Sequence, residues 1–169
     1  KQIITAKDQI LAVQGYAGTG KTTTLKSLTQ ILQNKGYKIR ALGAYNSTAQ
    51  NLENELGLNA QTLSSFLYQM QKEIKDNGQY TAIKDVLLLD EASQVNANDM
   101  ADLLTLVRKT RSRLILVGDK AQIGAVEWGK PFNLMIKNGI NYSQMKEIVR
   151  QKDNDLKEAV MSAINLEYT

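Results

Sequence analysis

The stretch GYAGTGKTTT, residues 15–24, fits the pattern G-x-x-x-x-G-K-[ST], with Gly15, Gly20, Lys21 and Thr22 at its defining positions. Glycines let successive backbone N–H groups turn toward phosphates, and the N-terminus of a following helix adds partial positive charge. The lysine of this pattern reaches the β- and γ-phosphates, and the threonine hydroxyl ligates Mg²⁺. The stretch therefore predicts a loop that binds ATP with Mg²⁺. We expect the nucleotide to be bound by Gly15, Ala17, Gly18, Thr19, Gly20, Lys21, Thr22 and Thr23.

Apolar runs and amphipathic segments alternate on both sides of this loop. Strands are predicted in ILAVQ (10–14), YKIRALGAY (37–45), DVLLLDEAS (85–93) and RLILVGDK (113–120). Helices are predicted in KTTTLKSLTQILQNKGY (21–37), STAQNLENELG (47–57), AQTLSSFLYQMQKEI (60–74), NDMADLLTLVRKT (98–110) and LKEAVMSAIN (156–165). Ser47 and Asn98 are predicted caps, and GAVEWGKPF (124–132) is a predicted loop. The alternation predicts an α/β fold with a mostly parallel sheet and helices on both faces.

The composition excludes several classes of site. The chain has 169 residues, 43% of them apolar, which fits one domain over residues 1–169. It contains no cysteine and no histidine, so disulfides, thiolate metal sites and histidine-based catalysis are excluded. The net charge of +4 is compatible with a nucleic-acid partner but does not require one. Because no apolar run is long enough to span a bilayer and no targeting signal is present, we expect a cytoplasmic protein without a membrane partner.

Acidic residues follow two of the predicted strands. Asp90 and Glu91 stand at the carboxyl end of LLLDEAS, the edge at which ligands bind in open parallel sheets. Asp90 is suited to hold Mg²⁺, and Glu91 to orient or deprotonate an attacking water. Asp119 ends the next strand, and the Gln122 amide stands where it would sense a γ-phosphate. The alternatives are acids placed where the chain reaches solvent and a surface glutamine in a loop.

Four stretches together resemble a known family. GYAGTGKTT, LLLDEAS, GDKAQIGAVEWGKPF and MKEIVRQ resemble, in this order, superfamily-one DNA helicases of the RecD-like branch. In particular they resemble the helicase portion of TraI-type conjugative relaxase/helicases, and the resemblance covers nearly the whole chain. It implies a RecA-like P-loop NTPase domain, the first motor domain of a helicase core, which hydrolyses ATP and translocates 5′ to 3′ on single-stranded DNA.

The resemblance also implies roles for single residues. It assigns Lys21 and Thr22 to the phosphates and Mg²⁺, and Asp90 and Glu91 to the metal and the attacking water. It further implies that Gln122 senses the γ-phosphate and that Arg150 in EIVRQ stabilises charge in the transition state.

The family places DNA contacts in two segments of this chain. In AYNSTAQ, Asn46 and Ser47 are expected to bind a phosphate, and Tyr45 either stacks on a base or packs in the core. Thr48 stands where related helicases have a basic residue. In AQTL, Thr62 matches the family pattern.

The resemblance implies a fragment of a larger parent protein. A second RecA-like domain, a relaxase region and the adenine-reading residue are expected elsewhere in that parent. The alternative function is a non-catalytic module that binds single-stranded DNA or partner proteins. A small-molecule P-loop kinase is a further alternative, although the sequence shows no arginine-rich lid segment.

Overall fold

The computed structural model describes residues 9–14, 21–78, 85–118, 131–140 and 142–144, the last of these as backbone only. The strands are β1 (Ile10–Gln14), β2 (Ile39–Gly43), β3 (Ala60–Thr62), β4 (Val86–Asp90), β5 (Arg113–Gly118) and β6 (Tyr142–Gln144). They form one sheet in the order β3-β2-β4-β5-β1-β6, and each pairing between neighbours is parallel. The predicted parallel α/β architecture is confirmed.

Helices cover both faces of the sheet. They are α1 (Lys21–Asn34), α2 (Asn46–Leu56), α3 (Leu63–Asn77), α4 (Ala97–Thr110) and α5 (Pro131–Lys137), with a short 3₁₀ helix at Ala92–Gln94. One hydrophobic cluster joins α3, α4 and α5 to the sheet, and the other joins α1 and the end of α2 to the opposite face. None of the helices in the described ranges combines the length and the apolarity that crossing a bilayer requires.

The central strand β4 explains why its sequence is apolar throughout. Leu87 and Leu89 belong to the cluster under α3 and α4, whereas Val86 and Leu88 belong to the cluster under α1. Successive side chains of a strand point to opposite faces, so a strand covered on both faces needs apolar residues at every position. The run ends at Asp90, which is half-buried and lies where the carboxyl ends of the strands meet.

The helix predicted from Ala60 begins three residues later than expected. Ala60–Thr62 instead forms β3, which pairs with Ala41–Gly43 of β2 in parallel register. The amphipathic helical pattern therefore starts only at Leu63. A helix also starts at Pro131, inside the predicted loop 124–132, and the remainder of that loop lies outside the described residues.

Both predicted caps are wrong. The N-cap position of α2 is Tyr45, whose side chain makes no capping hydrogen bond, and Ser47 lies inside the helix. In α4 the cap is Asn96, whose Oδ1 accepts the N–H of Asp99 at 2.8 Å, so Asn98 is already helical. The helix predicted over 47–57 ends at Leu56, and Gly57 follows as its C-cap in the left-handed conformation with φ of 65°.

Candidate nucleotide site

The carboxyl ends of the strands meet at one edge of the sheet. Asp90 at the end of β4 lies opposite Gly43 at the end of β2, and Gln14 at the end of β1 lies opposite Gly118 of β5. Because every pairing is parallel, the segments that follow these strands emerge on the same side. The start of α1 and the acids after β4 therefore belong to one site, where open parallel sheets bind ligands.

An ion pair joins the two sides of this site. Lys21 Nζ donates to Glu91 Oε1 at 3.0 Å, and the two side chains are only 17% and 19% exposed. Lys21 is the first residue of α1, whose first turn contains no acidic residue. The positive end of the helix dipole and the lysine charge therefore add together in a position suited to anions.

The backbone at Glu91 is unusual for a residue with a side chain. Its φ of 53° and ψ of 38° place it in the left-handed region, which costs L-residues other than glycine about 1 kcal/mol or more. The Glu91 N–H donates to Asp90 Oδ1 at 2.8 Å, and Gln94 Nε2 donates to Glu91 Oε2 at 3.4 Å. This geometry turns the chain sharply after β4 and brings the carboxylate of Glu91 to Lys21.

Burial raises the pKa of the Asp90 carboxyl above its usual value. The hydrogen bond from the Glu91 N–H and the charge of Lys21 act in the opposite direction, and the negative charges of Glu91 and Glu55 add to the rise. The carboxylate of Asp90 is thus held in a setting that favours a cation beside it.

Thr22 contacts an acid that the sequence did not indicate. Its Oγ1 donates to Glu55 Oε2 at 2.8 Å, across 33 residues of sequence. Glu55 lies in the last turn of α2. An acid at the C-terminal end of a helix opposes the helix dipole, and this unfavourable placement is the sequence signal that could have drawn attention to Glu55. Thr23 is exposed, and its carbonyl accepts a hydrogen bond from Ser27 Oγ at 3.1 Å.

The donor atoms at this site fit Mg²⁺. Thr22 offers a hydroxyl and Asp90 a carboxylate, both of them hard oxygen ligands. Within the described ranges no group of three or more acidic side chains is arranged to hold a metal ion. Such a sparse protein donor set suits Mg²⁺, which keeps several waters and binds through one or two protein ligands together with substrate phosphates.

Several predicted site residues lie outside the described residues. They are Gly15, Ala17, Gly18, Thr19 and Gly20 of the loop, and Asp119, Gln122 and Arg150. Their roles stay predictions. The predicted final helix at 156–165 lies outside them too.

The predicted DNA-contacting residues lie at the same edge of the sheet. Tyr45 is 54% exposed, which rules out a place in the core, and Asn46 and Ser47 are exposed in the first turn of α2. Thr62 lies opposite Gly43 in the sheet, and its Oγ1 accepts the Ser65 N–H at 3.2 Å. Thr62 thus caps α3, a structural role that the sequence did not indicate.

Comparison with known proteins matches residues 1–165 to the AAA domain family. The chain is 33% identical over 98% of its length to the multifunctional conjugation protein TraI of Escherichia coli strain K12, of which it covers 10%. It is 29% identical over 94% of its length to the conjugal transfer protein TraA of Agrobacterium fabrum, and it covers 14% of that protein. It is 27% identical over 86% of its length to the ATP-dependent RecD2 DNA helicase of Deinococcus radiodurans, and it covers 20% of that protein. The predicted resemblance is confirmed. The chain spans between a tenth and a fifth of these relatives.

One solved structure shows the same fold at low sequence identity. It is the N-terminal domain of the DNA packaging ATPase from bacteriophage phi29, with a TM-score of 0.52 and 16% identity over 84% of this chain and 92% of that one. The predicted RecA-like α/β fold is therefore confirmed.

Proposed function

Because the chain belongs to the AAA domain family, we propose that it is the first RecA-like motor domain of a 5′-to-3′ DNA helicase. In this role it binds and hydrolyses Mg²⁺–ATP and acts on single-stranded DNA in conjugative transfer. The observation that carries the proposal is the contact of Lys21 Nζ with Glu91 Oε1 at 3.0 Å. It joins the helix that follows the phosphate loop to the acids at the end of β4.

The residues at this edge have distinct roles in the proposal. Lys21 binds the β- and γ-phosphates, and Thr22 and Asp90 hold Mg²⁺. The metal, when bound, neutralises charge that develops on the phosphates. Glu91 orients the attacking water and accepts its proton.

The ion pair suggests how hydrolysis is linked to binding. Lys21 occupies one oxygen of the Glu91 carboxylate. When Lys21 turns to the γ-phosphate, that oxygen becomes available to a water molecule. Nucleotide binding therefore frees the Glu91 carboxylate to contact the attacking water in the same step.

DNA is bound beside the nucleotide in the proposal. Gly43 of β2 pairs with both Thr62 and Asp90, so the two predicted sites are two strands apart, about 10 Å by strand spacing. Tyr45 stacks on a base, and Asn46 and Ser47 bind a phosphate. A second RecA-like domain and a relaxase region of the parent protein are the proposed partners. Without that second domain, the chain binds nucleotide but does not unwind duplex.

Titration with a fluorescent ATP analogue and Mg²⁺ tests the proposal. We expect micromolar affinity that is lost in Lys21→Ala and kept in Lys26→Ala, a matched control, since Lys26 is exposed on the same helix. Oligo-dT should shift the nucleotide affinity, as coupling between two sites requires. A folded chain that binds oligo-dT but no nucleotide would instead be a non-catalytic DNA-binding module.

A further inference from the structure

The carboxylate of Glu55 reaches the proposed metal ligand from a different helix. The hydroxyl of Thr22, in the first turn of α1, donates a hydrogen bond to Glu55 Oε2 at 2.8 Å, and Glu55 is in the last turn of α2. Glu55 is therefore in direct contact with one of the two groups that are proposed to hold Mg²⁺.

The position of Glu55 is unfavourable for the helix that carries it. The first turn of α2 has no acidic residue and the last turn has no basic one, so the helix dipole is not compensated. Glu53 in the same turn has a local structural function, since its Oε1 accepts the N–H of Ala60 at 3.0 Å and so holds β3. The hydrogen bond of Glu55 goes instead to the nucleotide site.

The direction of this hydrogen bond matters for the chemistry. A hydroxyl has one proton to donate and two lone pairs with which to accept a hydrogen bond or bind a cation. When the proton points to Glu55, the lone pairs of Thr22 Oγ1 stay available. Groups that hydrogen-bond to a metal ligand orient that ligand and make it more basic. Mg²⁺ requires nearly ideal octahedral geometry, so a fixed ligand orientation is valuable.

We propose that Glu55 is a positioning residue for Thr22, fixing its hydroxyl proton so that the oxygen is presented to the Mg²⁺ of the bound nucleotide. This inference rests on the proposed function. Glu55 does not touch the reacting atoms in this role, and it acts only through Thr22.

The test measures how much Mg²⁺ strengthens binding of a fluorescent ATP analogue, as the ratio of the dissociation constants in EDTA and in Mg²⁺. In Glu55→Ala we expect this ratio to fall about tenfold, the usual effect of removing such a partner. The dissociation constant in EDTA should change less than about twofold, since Mg²⁺-free binding does not use the Thr22 metal contact. Glu55→Gln should keep most of the ratio, because its amide oxygen accepts the same hydrogen bond.

Two further variants separate positioning from general charge effects. Glu53→Gln removes the same charge from the same helical turn and can still accept the Ala60 N–H, so the ratio should stay at the wild-type value. In a Thr22→Val background, Glu55→Ala should have no additional effect, because the hydroxyl that it positions is gone. An equal additional loss in that background would overturn the inference, and so would a Glu55→Gln variant as weak as Glu55→Ala.

The outcomes distinguish this inference from the proposed function. A wild-type chain without Mg²⁺-dependent nucleotide binding would overturn both. A wild-type chain with such binding and an unchanged ratio in Glu55→Ala would overturn the role of Glu55 alone. Thermal unfolding of each variant checks the fold, and if Glu55→Ala does not fold, Glu55→Leu, which keeps the bulk of the side chain but accepts no hydrogen bond, replaces it in the wild-type and Thr22→Val backgrounds.

Discussion

Lys21 Nζ lies 3.0 Å from Glu91 Oε1, although the two residues are 70 positions apart in the sequence. The strands that precede them, β1 and β4, are separated in the sheet by β5. The crossover of α1 from β1 to β2 and the sharp left-handed turn at Glu91 together make this contact. Both side chains are mostly buried, so each neutralises the charge of the other, which would be costly to bury without a partner.

Glu91→Gln should separate binding from hydrolysis. The amide no longer holds Lys21 by charge, so we expect nucleotide affinity equal to or tighter than that of the wild type. Phosphate release in single-turnover experiments should fall about 100-fold or more, because the variant cannot take a proton from water. Glu73→Gln, which changes an exposed acid on α3, is the control and should match the wild type in both assays. Nucleotide binding about tenfold weaker in Glu91→Gln would contradict the assigned role.

The parts of the fold that depend on local pattern were predictable. The apolar runs of β1, β2, β4 and β5 are buried on one or both faces, and each was predicted from sequence. By contrast, β3 has only three residues, too few for any periodicity, and it exists because the edge of β2 offers it unpaired backbone groups. Both caps were misplaced by two residues: α4 offers two asparagines that are chemically able to cap it, and α2 begins after Tyr45 without any side-chain cap.

The candidate site shows the same division between local and distant contacts. Lys21, Thr22, Asp90 and Glu91 were predicted because each lies in a short motif beside a strand. Glu55 was not predicted, because its contact depends on how the end of α2 packs near the start of α1. Such a contact across 33 residues leaves almost no trace in local composition.

Asp90→Asn should make the protein more stable at neutral pH. Burial raises the pKa of Asp90, so the folded state keeps a proton at pH values where the unfolded chain has lost it. The free energy of unfolding of the wild type therefore falls as the pH rises through this window. The variant lacks that dependence, so its advantage should be largest near pH 7 and vanish toward about pH 4. Urea unfolding in EDTA between these pH values measures it, with the exposed Asp102→Asn as control. A variant less stable than the wild type at pH 7 would contradict the argument.

Gly43→Ala should destabilise the fold by forcing α2 away from β2. A Cβ at this position would lie 2.5 Å from the backbone nitrogen of Ala49, and backbone cannot move aside as a side chain can. Overpacking of this kind costs about 1–3 kcal/mol. For a chain of this size that corresponds to a melting temperature lower by about 3–10 °C. Ser47→Ala, an exposed change on the same helix, should melt within about 2 °C of the wild type. Equal melting of Gly43→Ala and wild type would show that α2 does not pack this closely.

Tyr45→Ala should weaken binding of single-stranded DNA. The ring is 54% exposed just after β2, at the edge where Thr62 and Asp90 also lie. Stacking of a base on an aromatic side chain contributes about 1–3 kcal/mol, so the dissociation constant for oligo-dT should rise about 5- to 150-fold.

Tyr37 provides a matched control for this measurement. It is also exposed, at 37%, but it precedes β2. It therefore lies toward the end of the sheet where the strands begin, away from the proposed DNA site. Fluorescence anisotropy with labelled oligo-dT should therefore give wild-type affinity for Tyr37→Ala and weak binding for Tyr45→Ala. If both variants lose the same affinity, exposed aromatic surface in general binds the DNA. If neither loses any, the segment after β2 does not contact bases, and the DNA site must be sought elsewhere along the carboxyl edge.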